Sequence, residues 1–194
     1  MNKTEIQSCL LKISQDNGQA FKELYRHYFL RLFRFCMGIV HQKESAEEIV
    51  HNVFMKLWEK RAHLSTIENP DVYLYVAVKN NSLDYLSKSR LKETVDISTI
   101  SHDYLVFNLD PEQMMITGEM QTTIRQAIEQ LPPRCKHIFC LVKEDGLKYK
   151  DVAAILNISI KTVESQMAIA MKKLMSAVLT FHGEESLKKK EATL

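Results

Sequence analysis

The segment 160–174 carries side chains whose types and spacing suit binding to duplex DNA. Apolar residues recur at helical spacing from Val163 to Leu174 and leave the opposite face free. That face and its flanks present small, polar and basic residues together with one large apolar residue, Ile169: Lys161, Thr162, Ser165, Gln166, Ala168, Ile169, Lys172 and Lys173. Hydroxyl and amide groups pair with base edges in the major groove, and ammonium groups neutralise phosphates. The pattern predicts a DNA-recognition helix, with a solvated surface helix as the alternative.

A second segment, 72–90, interleaves aromatic and cationic residues. Tyr75, Lys79, Asn80, Lys88 and Arg90 lie on it. Aromatic rings stack on unpaired bases while lysine and arginine follow the phosphate backbone, which is a common way of binding single-stranded nucleic acid. The alternative is that the apolar members of this segment only fill a core.

A helix-turn-helix positions the predicted recognition helix. Gly146 can adopt the left-handed conformation that ends one helix, and a short helix over 149–156 follows. Asn157 tolerates the left-handed region, and Ser159 can cap a helix that begins at Ile160. Two short helices joined by three residues predict a helix-turn-helix.

The N-terminal part is predicted to contain three helices. An apolar stripe over 21–39 indicates the first, and Ser45 with Glu48 matches a capping box at the start of the second. Asn69-Pro70 supplies an N-cap and a first helical residue for the third, which runs to about Ser89.

Two prolines separate the helices that precede the helix-turn-helix. An apolar stripe over 120–131 ends at Pro132-Pro133, because proline disfavours helical geometry in the residue before it. Residues 135–142 continue the apolar pattern on the next helix.

The composition favours an all-α protein. The 194 residues include only 5 Gly and 4 Pro; 45% are hydrophobic and 26% charged, with 26 Lys+Arg against 24 Asp+Glu. Few turn residues and many helix formers disfavour sandwiches and barrels. No apolar run reaches the length of a membrane span, and MNKTEIQSCL lacks a signal pattern. We therefore expect a cytoplasmic location.

Neither catalysis nor a cofactor is expected. The chain contains no Gly-rich phosphate loop, GxSxG or HExxH, so we predict that it is not an enzyme and has no small-molecule substrate. The four cysteines are irregularly spaced and are expected to be free, mostly buried thiols. Cys135, His137 and Cys140 are a weak zinc candidate, because they lie on different sides of one helix and a fourth ligand is not evident.

The charge pattern divides the chain into two small helical domains. Residues 96–119 hold five acidic residues and no Lys or Arg, which indicates an acidic linker. We place one domain at 1–95, the linker at 96–119, a second domain at 120–180 and a flexible basic tail at 181–194. Whether the linker only connects the domains or enters a basic groove on a partner stays open.

Four stretches, in this order and spacing, resemble the bacterial extracytoplasmic-function sigma factors, the smallest sigma-70-type initiation subunits of RNA polymerase. They are Ala46-Glu47-Glu48-Ile49-Val50 with Phe54 and Leu57-Trp58; Lys79-Asn80 with Leu83-Asp84-Tyr85-Leu86; Leu131-Pro132-Pro133-Arg134; and 146–174. The resemblance covers about 21–90 and 112–178. It implies that the first domain is the sigma region 2 bundle and the second is the sigma region 4 helix-turn-helix.

The resemblance also implies partners. A protein of this kind binds core polymerase through the clamp helices of the largest subunit and through the flap, recognises promoter DNA, and promotes strand opening. The implied core-binding residues lie on the second N-terminal helix: Glu47, Glu48, Asn52, Lys56 and Trp58. An anti-sigma factor is a further implied partner, since membrane-bound anti-sigma partners are common in this family. The acidic linker is expected to thread through the polymerase.

The two promoter elements are assigned to different domains by the resemblance. The minus-10 element is opened, with one base flipped at a cost of a few kcal/mol, by Arg61, His63, Tyr75, Lys79, Asn80, Lys88 and Arg90. The minus-35 element is read by Lys161, Thr162, Ser165, Gln166, Ile169, Lys172 and Lys173.

Some residues depart from the family pattern. Gln166, Ile169 and Met171 stand where the family often has Arg, so this helix offers fewer phosphate contacts and we expect weak or unusual minus-35 recognition.

Two other functions are compatible with the residues alone. One is a helix-turn-helix regulator that binds duplex DNA as a dimer without polymerase, and the other is a helical adaptor that binds only proteins.

Overall fold

The computed structural model describes residues 1–89 and 118–191, with side chains as far as Lys88 in the first range and His182 in the second. Every regular element in these ranges is helical, as the sequence predicts. The helices are α1 (Lys3–Ser14), α2 (Gly18–Val40), α3 (Lys43–Glu59), α4 (Pro70–Ser89), α5 (Gly118–Glu129), α6 (Pro133–Lys143), α7 (Tyr149–Leu156) and α8 (Ile160–Glu191), with a 3-10 turn at Arg61–Thr66. Apart from Gly118 and Glu119, the predicted linker lies outside the described residues.

The N-terminal helix α1 was not predicted from the sequence. The Asn2 side chain accepts a hydrogen bond from Glu5 N at 2.9 Å, and the Glu5 carboxylate accepts one from Asn2 N at 2.8 Å, which together make a capping box. Buried apolar residues of α1 pack on α2 and on the 3-10 turn. A helix of 12 residues depends on such tertiary partners, which a local apolar pattern does not reveal.

The predicted capping box at the start of α3 is wrong. The helix begins at Lys43, with Gln42 at the N-cap position, so Ser45 already lies inside the first turn. Ser45 is buried, and its hydroxyl lies 2.9 Å from Gln42 Oε1 and 2.8 Å from Tyr85 Oη. Ser45 therefore connects α3 to α4 and does not cap its own helix.

The start of α4 is as predicted. Pro70 is its first residue, and the Asn69 side chain accepts a hydrogen bond from Val72 N at 3.3 Å. Three of its side chains, Leu74, Tyr75 and Val78, are almost completely buried. The helix therefore has a fully packed face in addition to an exposed one.

The helix-turn-helix formed by α7 and α8 matches the prediction. Asn157 adopts the left-handed conformation (φ 55°, ψ 50°), and Gly146 upstream also has a positive φ of 71°. The Ser159 hydroxyl accepts a hydrogen bond from Thr162 N at 3.0 Å. The inner residues Val163 and Met167 of α8 are buried, so the turn holds its two helices at a fixed angle over a common core.

Helix α8 continues to Glu191, past the start of the predicted tail at 181. No Pro interrupts 160–191, and the segment is rich in Lys, Glu, Ala and Leu, which are good helix formers. The helix therefore does not end at the domain limit predicted from sequence.

Among the helices that the structure describes, none combines the length and the apolar character that a membrane span requires.

The two helical bundles pack against each other. Helix α4 of the first bundle contacts α7 of the second, and the buried apolar residues of both form one continuous cluster.

All four cysteines are buried. Cys135 Sγ donates to Gln166 O of α8 at 3.2 Å, whereas the His137 ring packs 5.2 Å from the Phe35 ring of α2. In the described ranges no three such residues converge as metal ligands.

Candidate nucleic-acid interface

The outer face of α8 is exposed along the segment predicted to read duplex DNA. Lys161, Ser165, Ile169 and Lys172 are exposed, and the smaller Ala168 lies beside them. The buried inner face holds this helix on α5, α6 and α7, so the outer face forms a projecting ridge. A ridge of small and polar side chains with lysine at both ends fits the width of a major groove.

Several polar side chains of α8 already have partners within the protein, including the central Ser165, whose hydroxyl donates to Lys161 O at 2.9 Å. Thr162 and Gln166 are half-buried, and the Thr162 hydroxyl lies 2.8 Å from Ser159 Oγ. Lys173 is exposed, but its ammonium donates to Gln130 O at 3.4 Å, at the end of α5. A cation is favoured at a helix C-terminus, so Lys173 also stabilises α5.

Tyr75 does not lie where a single-strand contact requires it. Only 1% of its surface is exposed, and its hydroxyl donates to Asp145 Oδ2 of the second bundle at 2.7 Å. Burial, followed by the charge of Asp145, raises the pKa of Tyr75 well above its usual range. In this structure Tyr75 is a core and interdomain residue, so its predicted contact with the minus-10 element is not available in this arrangement and stays a prediction.

Lys79 is likewise engaged by the second bundle. Its ammonium donates to Ile155 O near the C-terminal end of α7 at 2.6 Å, and its burial lowers the pKa of Lys79. The remaining residues of the same helix that we expected to contact DNA, Asn80 and Lys88, are exposed. Arg90 lies outside the described residues.

The 3-10 turn provides one exposed and one tethered residue. His63 is exposed. Arg61 pairs with the carboxylate of Asp16, donates to Trp58 O at 3.0 Å, and lies 4.9 Å over the Trp58 ring. These contacts fix the Arg61 guanidinium against α1 and α3, so only part of its hydrogen-bonding capacity faces outward.

Three of the predicted core-binding residues form an exposed stripe on α3. Glu48, Asn52 and Lys56 are spaced four residues apart and all are exposed. The Lys56 ammonium donates to Asn81 Oδ1 of α4 at 3.2 Å. Glu47 and Trp58 lie to one side and are half-buried; the Trp58 ring packs 5.1 Å from that of Phe21.

Met55 is a surface residue that sequence reasoning missed. It lies next to Asn52 and Glu59 on α3, and 57% of its surface is exposed. An exposed methionine among charged residues is a common feature of protein-binding surfaces. The signal available from sequence was that Met55 falls outside the apolar stripe of its helix.

Comparisons with known proteins match both bundles. The family model for sigma-70 region 2 matches residues 24–91, and the model for sigma-70 region 4 matches residues 121–174. The first match contains α3 and α4, and the second contains α6, α7 and the exposed part of α8 that is predicted to read DNA. Together the two matches cover more than half of the chain.

Relatives and a solved structure extend this likeness over most of the chain. The RNA polymerase sigma-H factor of Pseudomonas aeruginosa is 22% identical over 186 residues, covering 92% of this chain and 96% of that protein. The ECF RNA polymerase sigma factor SigW of Bacillus subtilis is 20% identical over 169 residues, covering 84% and 90%. The structure of CnrH in complex with the cytosolic domain of CnrY has a similar fold, with a TM-score of 0.53 at 16% identity over 91% of this chain and 97% of that one. The chain belongs to the extracytoplasmic-function group of sigma-70-type RNA polymerase sigma factors.

Proposed function

We propose that this sigma factor reads the minus-35 element with α8, opens the minus-10 element with the exposed part of α4 and the 3-10 turn, and binds core polymerase with α3. The observation that carries the proposal is the pairing of a capped helix-turn-helix, whose outer α8 face is exposed, with an exposed polar stripe on α3. Nucleotidyl transfer belongs to the core enzyme, and this chain, as a sigma factor, is not an enzyme. We accordingly propose a cytoplasmic location.

For the minus-35 element, Ser165 at the centre of the α8 face and Gln166 at its flank supply hydrogen bonds to base edges. Lys161 and Lys172 lie eleven residues apart along the helix, which is about 16 Å at 1.5 Å per residue. Their ammonium groups are therefore placed to neutralise phosphates at both sides of the groove. Because Ile169 lies between them on the same face, direct readout depends on few polar groups and the expected affinity is low.

For the minus-10 element, Asn80, Lys88 and His63 are the residues that are exposed before any rearrangement. Flipping a base costs a few kcal/mol, which contacts to the extruded base must offset. Lys79 joins these residues only after it leaves Ile155 O, and Tyr75 only after region 4 moves away. The promoter-opening surface is thus incomplete in the arrangement that the structure describes.

For core polymerase, the α3 stripe combines the charged residues Glu48 and Lys56 with the exposed apolar Met55. A buried apolar anchor surrounded by polar residues is the usual organisation of an energetically important contact. We infer that Met55 is the anchor and that the polar residues set the orientation. The anti-sigma partner that the resemblance implies is proposed to cover surfaces of both region 2 and region 4.

The experiment is run-off transcription with sigma-free core polymerase on pooled genomic promoter fragments, together with co-purification of the core enzyme. Wild-type chain is expected to give discrete transcripts. Met55→Asp is expected to lose core binding and transcription together, because it places a charge in an apolar contact. Leu11→Asp, at a similarly exposed apolar residue on α1, is the matched control and should retain both activities. If the wild-type chain binds no core polymerase, the proposal is contradicted and the alternative of a dimeric helix-turn-helix regulator is favoured.

A further inference from the structure

Region 4 covers the face of α4 on which two of the predicted minus-10 contacts lie. Tyr75 and Lys79 are one helical turn apart on α4, and both form hydrogen bonds to the second bundle instead of facing solvent. Helix α4 contacts α7 along this face. The same side chains therefore have two possible partners, DNA and region 4.

Three hydrogen bonds from α4 and its cap hold the covered face, and Arg31 of α2 adds a longer one to Asp145 O at 3.4 Å. Tyr75 Oη donates to Asp145 Oδ2 at 2.7 Å, and Lys79 Nζ donates to Ile155 O at 2.6 Å. At the start of α4, Asn69 Nδ2 donates to Asp151 Oδ1 at 2.8 Å. All three groups on region 4 are acceptors, and the donors on region 2 come from α4 or its cap. A donor-bearing surface of region 2 thus meets three acceptors of region 4, two of which are carboxylates.

The acceptors offer Lys79 a partner that resembles a phosphate. Ile155 O is one of the last carbonyl groups of α7, where the helix dipole is negative and carbonyl groups lack partners within the helix. A lysine ammonium is favoured at that end for the same electrostatic reason that it is favoured beside a phosphate. Ile155 O of region 4 thus supplies a hydrogen-bond acceptor for the Lys79 ammonium group when no DNA is bound.

The covered arrangement is incompatible with simultaneous reading of both promoter elements. Elements centred 10 and 35 base pairs upstream are separated by about 85 Å of duplex at about 3.4 Å per base pair. Domains joined through direct hydrogen bonds between α4 and the α6–α7 segment do not span that distance. The two bundles must separate before the promoter is engaged.

The packing of region 4 on α4, which we call the closed arrangement, covers the DNA-binding face of α4 and leaves that of α8 uncovered. The α8 residues Lys161, Ser165 and Lys172 remain exposed while region 4 lies on α4. The recognition face therefore stays open, and only the promoter-opening face is blocked.

We propose that region 4 is a tethered inhibitor of region 2 in the free chain, held on α4 by Asp145, Asp151 and the carbonyl of Ile155. The partner of the α4 face is this chain's own second bundle, and core polymerase or promoter DNA displaces it. The inhibitory part of this inference rests on the proposed minus-10 function, whereas the contact itself does not.

The contact is tested by amine acetylation of the full chain, with Lys79 and Lys88 quantified by mass spectrometry. Lys79 is hydrogen-bonded to region 4 and Lys88 is exposed on the same helix, so Lys79 should react more slowly in wild type. Asp145→Ala removes the acceptor of Tyr75 and is expected to raise the open-to-closed ratio about ten-fold, which accelerates Lys79 acetylation. Glu119→Ala, at an exposed carboxylate of the same domain, should change nothing. Circular dichroism establishes that each variant is folded, and Asp151→Ala provides a second release variant.

The inhibitory role is tested with two probes, a random-sequence 20-nucleotide single strand and a random-sequence 20-base-pair duplex. Asp145→Ala should bind the single strand several-fold more tightly than wild type and the duplex equally well. If Lys79 reacts as fast as Lys88 in wild type, or is unaffected by both release variants, the contact is refuted. If Lys79 is released but single-strand binding does not improve, the inhibitory role is refuted while the contact stands. Run-off transcription tests the sigma function independently of either result.

Discussion

The closed arrangement is expected to weaken as pH rises from 5 to 8. Burial, together with the neighbouring Asp145 charge, raises the pKa of Glu144 to about 7, against an opposing effect of Arg34. Burial likewise raises the pKa of Asp145 to about 6, although the Tyr75 hydrogen bond and Arg31 lower it. The other charged and titratable groups that face this pair are Asp71 from α4, Glu129 from α5, and Lys136, His137 and Cys140 from α6.

The direction of this pH dependence follows from the raised pKa values of both carboxyl groups. Separation of the bundles returns these carboxyl groups to water, where their pKa values are ordinary, so the closed form binds protons more tightly than the open form. The pH-dependent part of their contribution to closure is fully present below about pH 4 and is lost as pH rises through 6 to 7. The hydrogen bond from Tyr75 to Asp145 persists in the ionised form. For Asp145, a pKa rise from 3.8 to about 6 corresponds to about 3 kcal/mol, or roughly a hundredfold in the closed-to-open ratio. Glu144 and Asp145 are both half-buried, and solvent screening reduces both contributions below the values that their raised pKa values imply.

Small-angle X-ray scattering of the full chain measures this transition. A compact chain of 194 residues has a radius of gyration of about 16 Å, and separated bundles give a larger value. We expect the radius to increase between pH 5 and pH 8. Asp145→Asn keeps the shape and an acceptor for Tyr75 but does not titrate, so it should flatten the transition. A radius that does not change over this interval, or an unchanged midpoint in Asp145→Asn, refutes the assignment to these carboxyl groups.

Three further predictions concern DNA binding and stability. Lys161→Ala combined with Lys172→Ala should lower the log–log salt slope of minus-35 binding by about 2, since each lost phosphate contact removes about 0.9; an unchanged slope contradicts groove contact by these lysines. Asn80→Ala should impair transcription from duplex more than from a pre-melted bubble template, and equal losses on both would contradict a role in opening. Asn157→Ala should lower the free energy of unfolding by about 1 kcal/mol, because alanine is disfavoured in the left-handed conformation, whereas Asn157→Gly should not. Urea denaturation distinguishes the two Asn157 variants.

Helix boundaries were predictable wherever a local signal was strong. Pro70, the left-handed Asn157 and the Ser159 cap each fix a backbone conformation within a few residues, and the structure has the predicted feature at all three positions. The start of α3 was mispredicted because Ser45 matches a capping pattern while its hydroxyl contacts Gln42 and Tyr85. Tyr85 is forty residues away, and no local pattern contains such a partner.

The candidate surfaces were predictable in part for the same reason. Exposure of Lys161, Ser165 and Lys172 on α8, and of Glu48 and Asn52 on α3, follows from helical periodicity, because the apolar stripe of each helix fixes which side is buried. The importance of Met55 was not apparent, since a methionine suits a core and a surface equally well.

The sequence by itself determined the all-helical fold, the helix-turn-helix and the family, because these depend on local periodicity, on caps and on the order of short stretches. Only the tertiary structure decided that Tyr75 and Lys79 meet Asp145 and Ile155 O, which lie 70 and 76 residues away along the chain. An aromatic or cationic residue on an amphipathic helix has the same pattern whether it faces water, DNA or another domain. Which of these it meets depends on how two separately patterned bundles pack, and that packing is a property of the whole chain.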